Sequence, residues 1–504
     1  MSEHVPDLTD HGEVTGPIQV TAPQLTPAPR VARIWRDRAV RVVRGDAPPT
    51  ISLGTRTGGD EAVSQRQARA VIDLALRVGE AMLSTGASAS DCVATVLRLV
   101  DAYGIRSAHV DITFTSISVS IHRGLHEDPL SVMRVVPGRS LDYTRLEGVQ
   151  RLVDDVVESA RGEHVLDVDA ARRRLMNVLS APHPYRRWVV TLGAACMGVG
   201  IVMLFGAGPV IWLLAALSAT VVDRVQRLLY RAGVAAFFTQ AISAAVPALI
   251  ALLLLWGEQQ GGLSLPGVTY PSLVVISGIV ILLAGLGLLG ATQDALDGYY
   301  VTAGARGLEV VLMTLGIAVG VAVVMAVANG LGVSMEVGDA LARGSNPFTN
   351  GVGAVLVALG FCLTTYAGLR TILLSTLTAI SAWLVFTSAG LLGLDGVGAS
   401  ALAAAPVGAL AYAVHRRLRV PELAVATASI VPLLPGLAVY RAINLILLDN
   451  PAVVGIAVLA FVTALSTGLA LAAGLSVGGY LARRRFGLDR AALRARRRSR
   501  GRQA

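Results

Sequence analysis

Long apolar segments dominate the chain from Trp188 onward. A helix needs about 20 mostly apolar residues to cross a bilayer, and the sequence offers ten such segments. The second and eighth are short, and the ninth is interrupted. We therefore predict an α-helical polytopic membrane protein with about ten transmembrane helices. The segments are 188–205, 209–222, 234–256, 272–292, 308–329, 350–368, 371–393, 398–414, 421–448 and 452–480.

The part before Trp188 shows the periodicities of an α+β domain. Two segments with helical spacing are followed by alternating apolar positions, on even numbers over 110–114 and on odd numbers over 117–121. An unbroken strand would turn half of these side chains toward solvent, so we predict a turn or bulge at Thr115–Ser116. The expected elements are helices near 71–82, 88–100, 141–160 and 168–180, and a further strand at 132–136.

Composition and charge agree with a membrane protein. Hydrophobic residues make up 54% of the chain and charged residues 15%, against about 25% charged in soluble domains. The net charge of +9 arises in residues 481–504, which hold ten Arg and one Asp. A basic segment directly after an apolar span is typical of a cytoplasmic membrane anchor, so the charge does not indicate nucleic-acid binding.

The arginines also predict an orientation. The segments assigned to the cytoplasm, including the C-terminal tail, hold 18 Arg, whereas the outer segments hold Arg343 and Arg441. This bias predicts an even number of spans in the cell membrane, with both termini cytoplasmic. The chain starts without the pattern of a signal peptide, and its three cysteines lie too far apart for a disulfide framework.

These patterns divide the chain into five regions. A disordered leader rich in Pro, Thr, Gly and Arg is followed by the cytosolic α+β domain. Two five-helix membrane repeats come next, and an Arg-rich cytoplasmic tail ends the chain. Their predicted bounds are 1–60, 61–187, 188–329, 330–480 and 481–504.

The two membrane repeats are predicted from a recurring sequence frame. LLAGLGLLGATQDAL at 282–296 shares the frame LL-x-GL with LLPGLAVYRAINLIL at 433–447, at an offset of 151 residues. Five spans per half would give the halves opposite orientations in the bilayer. Inverted repeats of this kind place the substrate site near the midplane, at interrupted helices in equivalent positions.

The interrupted ninth segment is the first candidate site. Pro435 and Gly436 fall in mid-membrane, where a helix break is tolerated only if it packs in protein or lines a wet cavity. The half-helix that follows would point free N–H groups at an anion such as a carboxylate. A packing kink is the alternative. A binding site is favoured because three polar residues follow on one face: Tyr440, Arg441 and Asn444.

The second candidate site is QDALDGYYVTAGARGLE, residues 293–309. A charged side chain inside a span is costly and usually has a partner or a task. The candidates for substrate binding are Gln293, Asp294 and Arg306, and those for proton coupling are Asp294, Asp297 and Glu309. A solvated loop at the inner boundary is the alternative.

Three other motifs are interpreted as structural. Asp223 to Arg227 reads as a charged inner boundary rather than a gate. GIAVG (316–320) and GLSVG (474–478) predict close contacts between helices, because glycine lets two backbones approach.

Six motifs follow one another along the chain in a specific order and spacing. They are TGASASDCVATVLRLVDAYG, VDITFTSISVSIHRG, PHPYRRWVVTLG, DRVQRLLYRAGVAAFF, QDALDGYYVTAGARGLEV and IVPLLPGLAVYR. In these motifs the chain resembles the threonine/serine exporter (ThrE) family. The resemblance covers roughly residues 65–485, which leaves the leader and most of the tail outside. It implies a cytosolic head, ten spans, and export of small hydroxylated amino acids driven by the proton gradient.

With threonine or serine as cargo, the candidate residues take specific roles. The break at Pro435 and Gly436 would face the substrate carboxylate, helped by Arg441. Asp294 would balance the ammonium group or carry the coupling proton. The hydroxyl would bond to one of Asn444, Tyr440 and Gln293.

Two alternatives stay open. The cargo could be a small dicarboxylate such as succinate, with Arg306 and Arg441 as its two cationic contacts. A membrane-tethered enzyme or sensor could act through residues 61–185, although no nucleophile–base set or metal site stands out there. The Walker A motif does not occur. We expect no enzyme activity, cofactor, metal or nucleic acid; the expected partners are substrate, protons and the bilayer, and a homo-oligomer is left open.

Overall fold

A computed structural model describes most of residues 64–486, and these belong to one compact unit. The predicted leader and residues 487–504 of the tail lie outside the described residues. The internal positions that are also outside are 106, 123–127, 137, 139, 163–164, 261–270, 283–284, 334–345, 436–437, 440–441, 443–444 and 446–453.

Residues 64–181 form a small α+β layer, called here the α+β segment. Its elements are α1 (Gln65–Ser84), α2 (Ala89–Ala102), β1 (Ala108–Thr113), β2 (Ser116–Ile121), β3 (Leu130–Val135), α3 (Tyr143–Ser159) and α4 (Val168–Ser180). The strands form an antiparallel sheet in the order β1-β2-β3. Ser88 caps α2 by accepting a hydrogen bond from the Asp91 N–H at 3.1 Å.

The change of parity between the first two strands is a tight turn. Thr113 pairs with Ser116, so Phe114 and Thr115 form the connection, which confirms the predicted turn. Both apolar sets then face the same side and are buried against α1 and α2. The third strand begins two residues earlier than predicted.

Among the described residues, eight helices are long and apolar enough to cross a membrane, by length and composition. They are α5 (Arg187–Leu204), α6 (Pro209–Arg231), α7 (Ala236–Gln259), α10 (Tyr300–Gly330), α11 (Pro347–Thr364), α12 (Leu369–Leu391), α13 (Gly396–Leu418) and α15 (Val454–Phe486). Large apolar side chains such as Leu213 and Leu391 are exposed on them, which suits contact with lipid. The prediction of a helical polytopic membrane protein is confirmed.

The fourth and ninth predicted spans are interrupted in the part of the chain that the structure describes. The fourth consists of α8 (Ser272–Leu282) and α9 (Gly285–Leu296), which are bent by 44° to each other. The ninth starts with α14 (Glu422–Ile430), which tightens into a 3₁₀ turn at Val431–Leu433.

Several predicted bounds were too narrow. The second span extends to Arg231 rather than 222, and the fifth starts at Tyr300 rather than 308. The predicted bounds follow the apolar residues of each segment. The helices themselves continue for one or more turns into polar residues.

The glycine motifs lie at close helix contacts, as predicted. A Cβ added at Gly320 of α10 would overlap the carbonyl oxygen of Ala241 in α7. Likewise, a Cβ at Gly478 of α15 would overlap the carbonyl oxygen of Ala405 in α13. These contacts hold α7 against α10 and α13 against α15, because only glycine leaves room for the facing backbone.

We predict that Gly320→Ala destabilises the folded protein by about 1–3 kcal/mol, because a rigid backbone carbonyl must move to admit the methyl group. Gly307→Ala in the same helix is the matched control, since nothing lies within 4 Å of its added Cβ. Thermal unfolding of detergent-solubilised protein measures both. Equal melting temperatures for the two variants would contradict the close contact.

Candidate functional site

A cavity of about 1190 Å³ lies between the α+β segment and the membrane helices. Its wall includes the loop before α2, the start of α3, the connector before α5, and parts of α6, α7, α10 and α11. Both irregular spans also contribute, through α8 and α9 on one side and α14 on the other. The cavity therefore connects the two elements from which the sequence predicted a site.

The 293–309 segment supplies three predicted residues to the cavity wall: Gln293, Arg306 and Glu309. Asp294 lies directly behind the wall and is fully buried. Asp297 is exposed in the turn between α9 and α10, where it accepts a hydrogen bond from the Ser90 hydroxyl at 2.5 Å. The solvated-loop alternative is thus wrong for Asp294 and Arg306.

Asp294 and Arg306 form a buried ion pair, with 2.9 Å between Oδ2 and Nη1. The chain turns between them, and the Tyr299 N–H donates to the Asp294 carbonyl at 2.8 Å. Both side chains also bond to the backbone of the α+β segment. Asp294 Oδ1 accepts from the Ala89 N–H at 3.0 Å, and Arg306 Nη2 donates to the Ala87 carbonyl at 3.1 Å. These contacts compensate the cost of burying two charges.

The bend in the fourth span leaves helix-end carbonyls that need donors away from water. Gln240 of α7, which is buried, donates from Nε2 to the Leu282 carbonyl at 3.2 Å. Gln226 of α6 in turn donates to Gln240 Oε1 at 3.4 Å. Both glutamines line the cavity. Sequence reasoning missed Gln240, although an amide inside an apolar span was a usable signal.

Asp223 belongs to the cavity wall as well as to the helix end where the sequence placed it. Its carboxylate accepts hydrogen bonds from Arg227 and from the Thr191 hydroxyl, both at 2.8 Å. The pair is only partly buried. The sequence interpretation as a charged inner boundary did not include a place on the cavity wall. Only folding brings Asp223 next to Thr191 of α5 and to the cavity.

The ninth span contributes through its first half. Thr427 of α14 lines the cavity and shares a 2.6 Å hydrogen bond with the Tyr143 hydroxyl of α3. Burial raises the pKa of the Tyr143 phenol, so it stays neutral and serves as a hydrogen-bonding group.

The predicted break itself is described only in part. After the 3₁₀ turn, Leu434 is extended, and the Val439 N–H donates to the Pro435 carbonyl at 3.2 Å. Pro435 is half-buried and is not among the described residues that line the cavity. The other predicted residues of this segment lie outside the described residues: Gly436, Tyr440, Arg441 and Asn444.

The wall suits a small polar ligand that carries charge. Among the described residues that line it, five are arginines and two carry carboxylates, and hydroxyl and amide groups lie between them. Within the described chain, no group of three His, Cys, Asp or Glu residues could hold a metal ion. The arrangement can bind an anion or a zwitterion through guanidinium groups and hydrogen bonds.

Comparison with known proteins gives a consistent result. The family model "Putative threonine/serine exporter" matches residues 73–328, and the model "Threonine/Serine exporter, ThrE" matches residues 350–480. The chain is 36% identical to a protein of Mycobacterium tuberculosis named "Probable threonine/serine exporter", over 88% of this chain and 83% of the relative. It is 33% identical to the "Threonine/serine exporter" of Corynebacterium glutamicum, over 83% of each chain. No solved structure matches the chain significantly.

We predict that Asp294→Ala destabilises the protein by about 3–5 kcal/mol, because the Arg306 guanidinium loses the carboxylate that balances its buried charge. Thermal unfolding in detergent measures the effect. Asp297→Ala, three residues away at an exposed position, serves as the control and should change stability little. A melting temperature of Asp294→Ala equal to that of Asp297→Ala would show that the ion pair does not hold these elements together.

Proposed function

Because the chain belongs to the threonine/serine exporter family, we propose that it exports threonine and serine across the cell membrane, driven by the proton gradient. The observation that carries this proposal is the cavity that both irregular spans help to line, with its five described arginines and two described carboxylates. Its volume is several times that of an amino acid, so cargo can enter together with water.

The cavity offers groups for each part of a small zwitterion. The Arg306 guanidinium at its wall can bind the carboxylate, and Glu309 can attract the ammonium group. Gln293 and Thr427 can bond the hydroxyl. The predicted contribution of the segment after Pro435, including Arg441, completes the site in this proposal.

We propose that the membrane helices form two inverted repeats of five spans each, and we place the substrate in the cavity where both halves meet the α+β segment. The helix packing supports this arrangement. In the first half α7 packs along α10 and α6 contacts α8; in the second half α13 packs along α15 and α12 contacts α14. These are equivalent pairs if α11 repeats α5, and so on along the chain.

The contact between α5 and α11 has the form expected at a twofold axis. A Cβ at Gly193 would lie 2.8 Å from the Gly360 carbonyl oxygen, and one at Gly353 would lie 2.7 Å from that of Gly200. The two contacts are related by an offset of 160 residues, with the helices exchanged. Gly353 of α11 is equivalent to Gly193 of α5, and Gly200 of α5 is equivalent to Gly360 of α11. Reciprocal contacts of this kind are the signature of an isologous interface.

The turns after these two helices agree with the same offset. Gly206 and Tyr366 both adopt left-handed φ values, of 72° and 54°. The next residues, Ala207 and Ala367, donate to the carbonyls of Val202 and Cys362 at 3.1 and 2.9 Å. The same backbone turn therefore recurs at the same offset. This recurrence supports the proposal that the two halves are structural repeats.

The proposed orientation has both termini in the cytoplasm. The α+β segment contacts the turn near Thr302, the turn at Thr365–Tyr366, and Arg419. All three positions lie at or next to segments that the arginine bias assigns to the cytoplasm, so one face collects the predicted inner elements.

Glu309 is our preferred proton carrier among Asp294, Asp297 and Glu309. It lies on the cavity wall, where water and substrate can reach it. Asp294 and Asp297 are not among the described residues that line this wall.

A small dicarboxylate is the second candidate cargo. The excess of arginines over carboxylates among the described wall residues favours an anion with two negative groups. Competition separates the two cargoes: an excess of serine should suppress efflux of labelled threonine and succinate should not, whereas the reverse would establish the second candidate.

We predict that Glu309→Gln abolishes the part of threonine efflux that an uncoupler removes, because glutamine cannot exchange a proton. Efflux from preloaded vesicles, with and without the uncoupler, measures this. Glu258→Gln, at the exposed end of α7, is the control and should behave like the wild type. Efflux that the uncoupler leaves unchanged in the wild type would refute proton coupling, and absence of threonine efflux would refute the cargo.

We predict that Gly290→Ala raises the KM for threonine about tenfold, the effect of one lost charge-assisted hydrogen bond. The added Cβ would lie 2.9 Å from Arg306 Nη1 and would displace the guanidinium from its position. Gly304→Ala is the matched control, because its Cβ meets nothing within 4 Å. An unchanged KM in Gly290→Ala would remove Arg306 from the substrate site.

A further inference from the structure

We infer that residues Thr85–Ser90 of the α+β segment, called here the docking segment, are positioning residues of the transport site. The docking segment fixes the guanidinium of Arg306 at the cavity wall. This inference rests on the proposed function, in which Arg306 binds the substrate carboxylate. It assigns a direct part in transport to a region outside the membrane helices.

The evidence is a closed ring of contacts around two charges. Arg306 Nη1 contacts Asp294 Oδ2 at 2.9 Å, and Arg306 Nη2 donates to the Ala87 carbonyl at 3.1 Å. The ring closes where the Ala89 N–H donates to Asp294 Oδ1 at 3.0 Å. A guanidinium is planar, so two contacts on different nitrogens fix both its place and its tilt.

The Ala89 N–H is a strong donor because of its position in the fold. Ala89 is the first residue of α2, a helix of 14 residues, and its N–H has no partner within that helix. The Asp294 carboxylate thus lies at the positive end of the helix dipole. Among the described residues of the membrane helices, Asp294 is the one that forms an ion pair with Arg306.

The docking segment is itself fixed in place, which a positioning element requires. The Thr85 hydroxyl donates to the Ala81 carbonyl at 2.8 Å, and the Ala87 N–H donates to the Met82 carbonyl at 3.0 Å. Gly86 between them has a φ of +98°, and a Cβ there would overlap Leu141. Movement of Ala87 would therefore disturb the end of α1.

Two further hydrogen bonds fasten the same turn of the membrane helices to the α+β segment. The Ser90 hydroxyl donates to Asp297 Oδ2 at 2.5 Å, and the Thr302 hydroxyl donates to the Ile112 carbonyl at 3.2 Å. The membrane-helix residues of these two bonds, Asp297 and Thr302, lie between Asp294 and Arg306 in the sequence. The turn that carries both charges is consequently held at four places.

The decisive experiment replaces one hydrogen-bond donor, the Ala89 N–H, by a proline ring carbon. Ala89→Pro deletes the N–H that Asp294 accepts, at a first helical position where proline is favoured. The preceding Ser88 has φ −68° and ψ 157°, which proline tolerates in its neighbour. Ala89→Gly keeps the N–H and is the rescue variant. Gln65→Pro makes the same change at the first residue of α1, away from the membrane helices.

We expect Ala89→Pro to raise the KM for threonine efflux about tenfold with the maximal rate retained. Ala89→Gly and Gln65→Pro should keep the wild-type KM. A purely structural role would instead lower the amount of folded protein and the maximal rate. The partly exposed change Ser90→Ala should raise the KM about threefold and covers the case in which Ala89→Pro does not fold.

The outcomes separate this inference from the proposed function. If Gly290→Ala raises the KM but Ala89→Pro and Ser90→Ala do not, Arg306 binds substrate without help from the docking segment, and the inference is overturned. If Gly290→Ala also leaves the KM unchanged, the proposed role of Arg306 fails. A higher KM in Ala89→Pro together with a wild-type KM in Ala89→Gly supports the inference.

Discussion

The ion pair between Asp294 and Arg306 is the interaction on which the site depends. Two charges that are almost fully buried are stable only if each has a partner in good geometry. The chain meets this requirement with a short turn between α9 and α10 and with backbone groups of Ala87 and Ala89. The same contacts help to position the α+β segment on the membrane helices, because its docking segment bonds to both charged side chains.

The irregular spans impose a second constraint. A helix that breaks within the membrane exposes backbone carbonyls and N–H groups that lipid cannot satisfy. The Gln240 side chain supplies a donor at the end of α8. In the ninth span the chain tightens into a 3₁₀ turn, and Thr427 just before it bonds to Tyr143. Gln240 and Thr427 both line the cavity, so polar groups associated with each irregular span face it. An exporter of small polar molecules needs such groups at its binding site.

Much of the fold could be predicted because membrane insertion is a local property. About 20 apolar residues cross a bilayer whatever packs around them, so each long span was visible as a hydrophobic segment. The parity change before Ser116 and the Gly320 and Gly478 contacts were equally local, since the first depends on strand period and the others on side-chain size. Glu309 and Gln293 were predicted as site residues because a polar side chain next to a span usually has a partner or a task, and both line the cavity.

Only the tertiary structure decided how these residues are used. Asp294 and Ala89 are 205 positions apart, and Arg306 and Ala87 are 219 apart, so no periodicity relates them. Ala87 and Ala89 act through backbone groups, which every residue except proline presents alike, and a sequence carries no mark of them. The sequence thus determined which segments enter the membrane and where charge is costly. Folding determined which backbone groups meet those charges, because that depends on distance in space rather than along the chain.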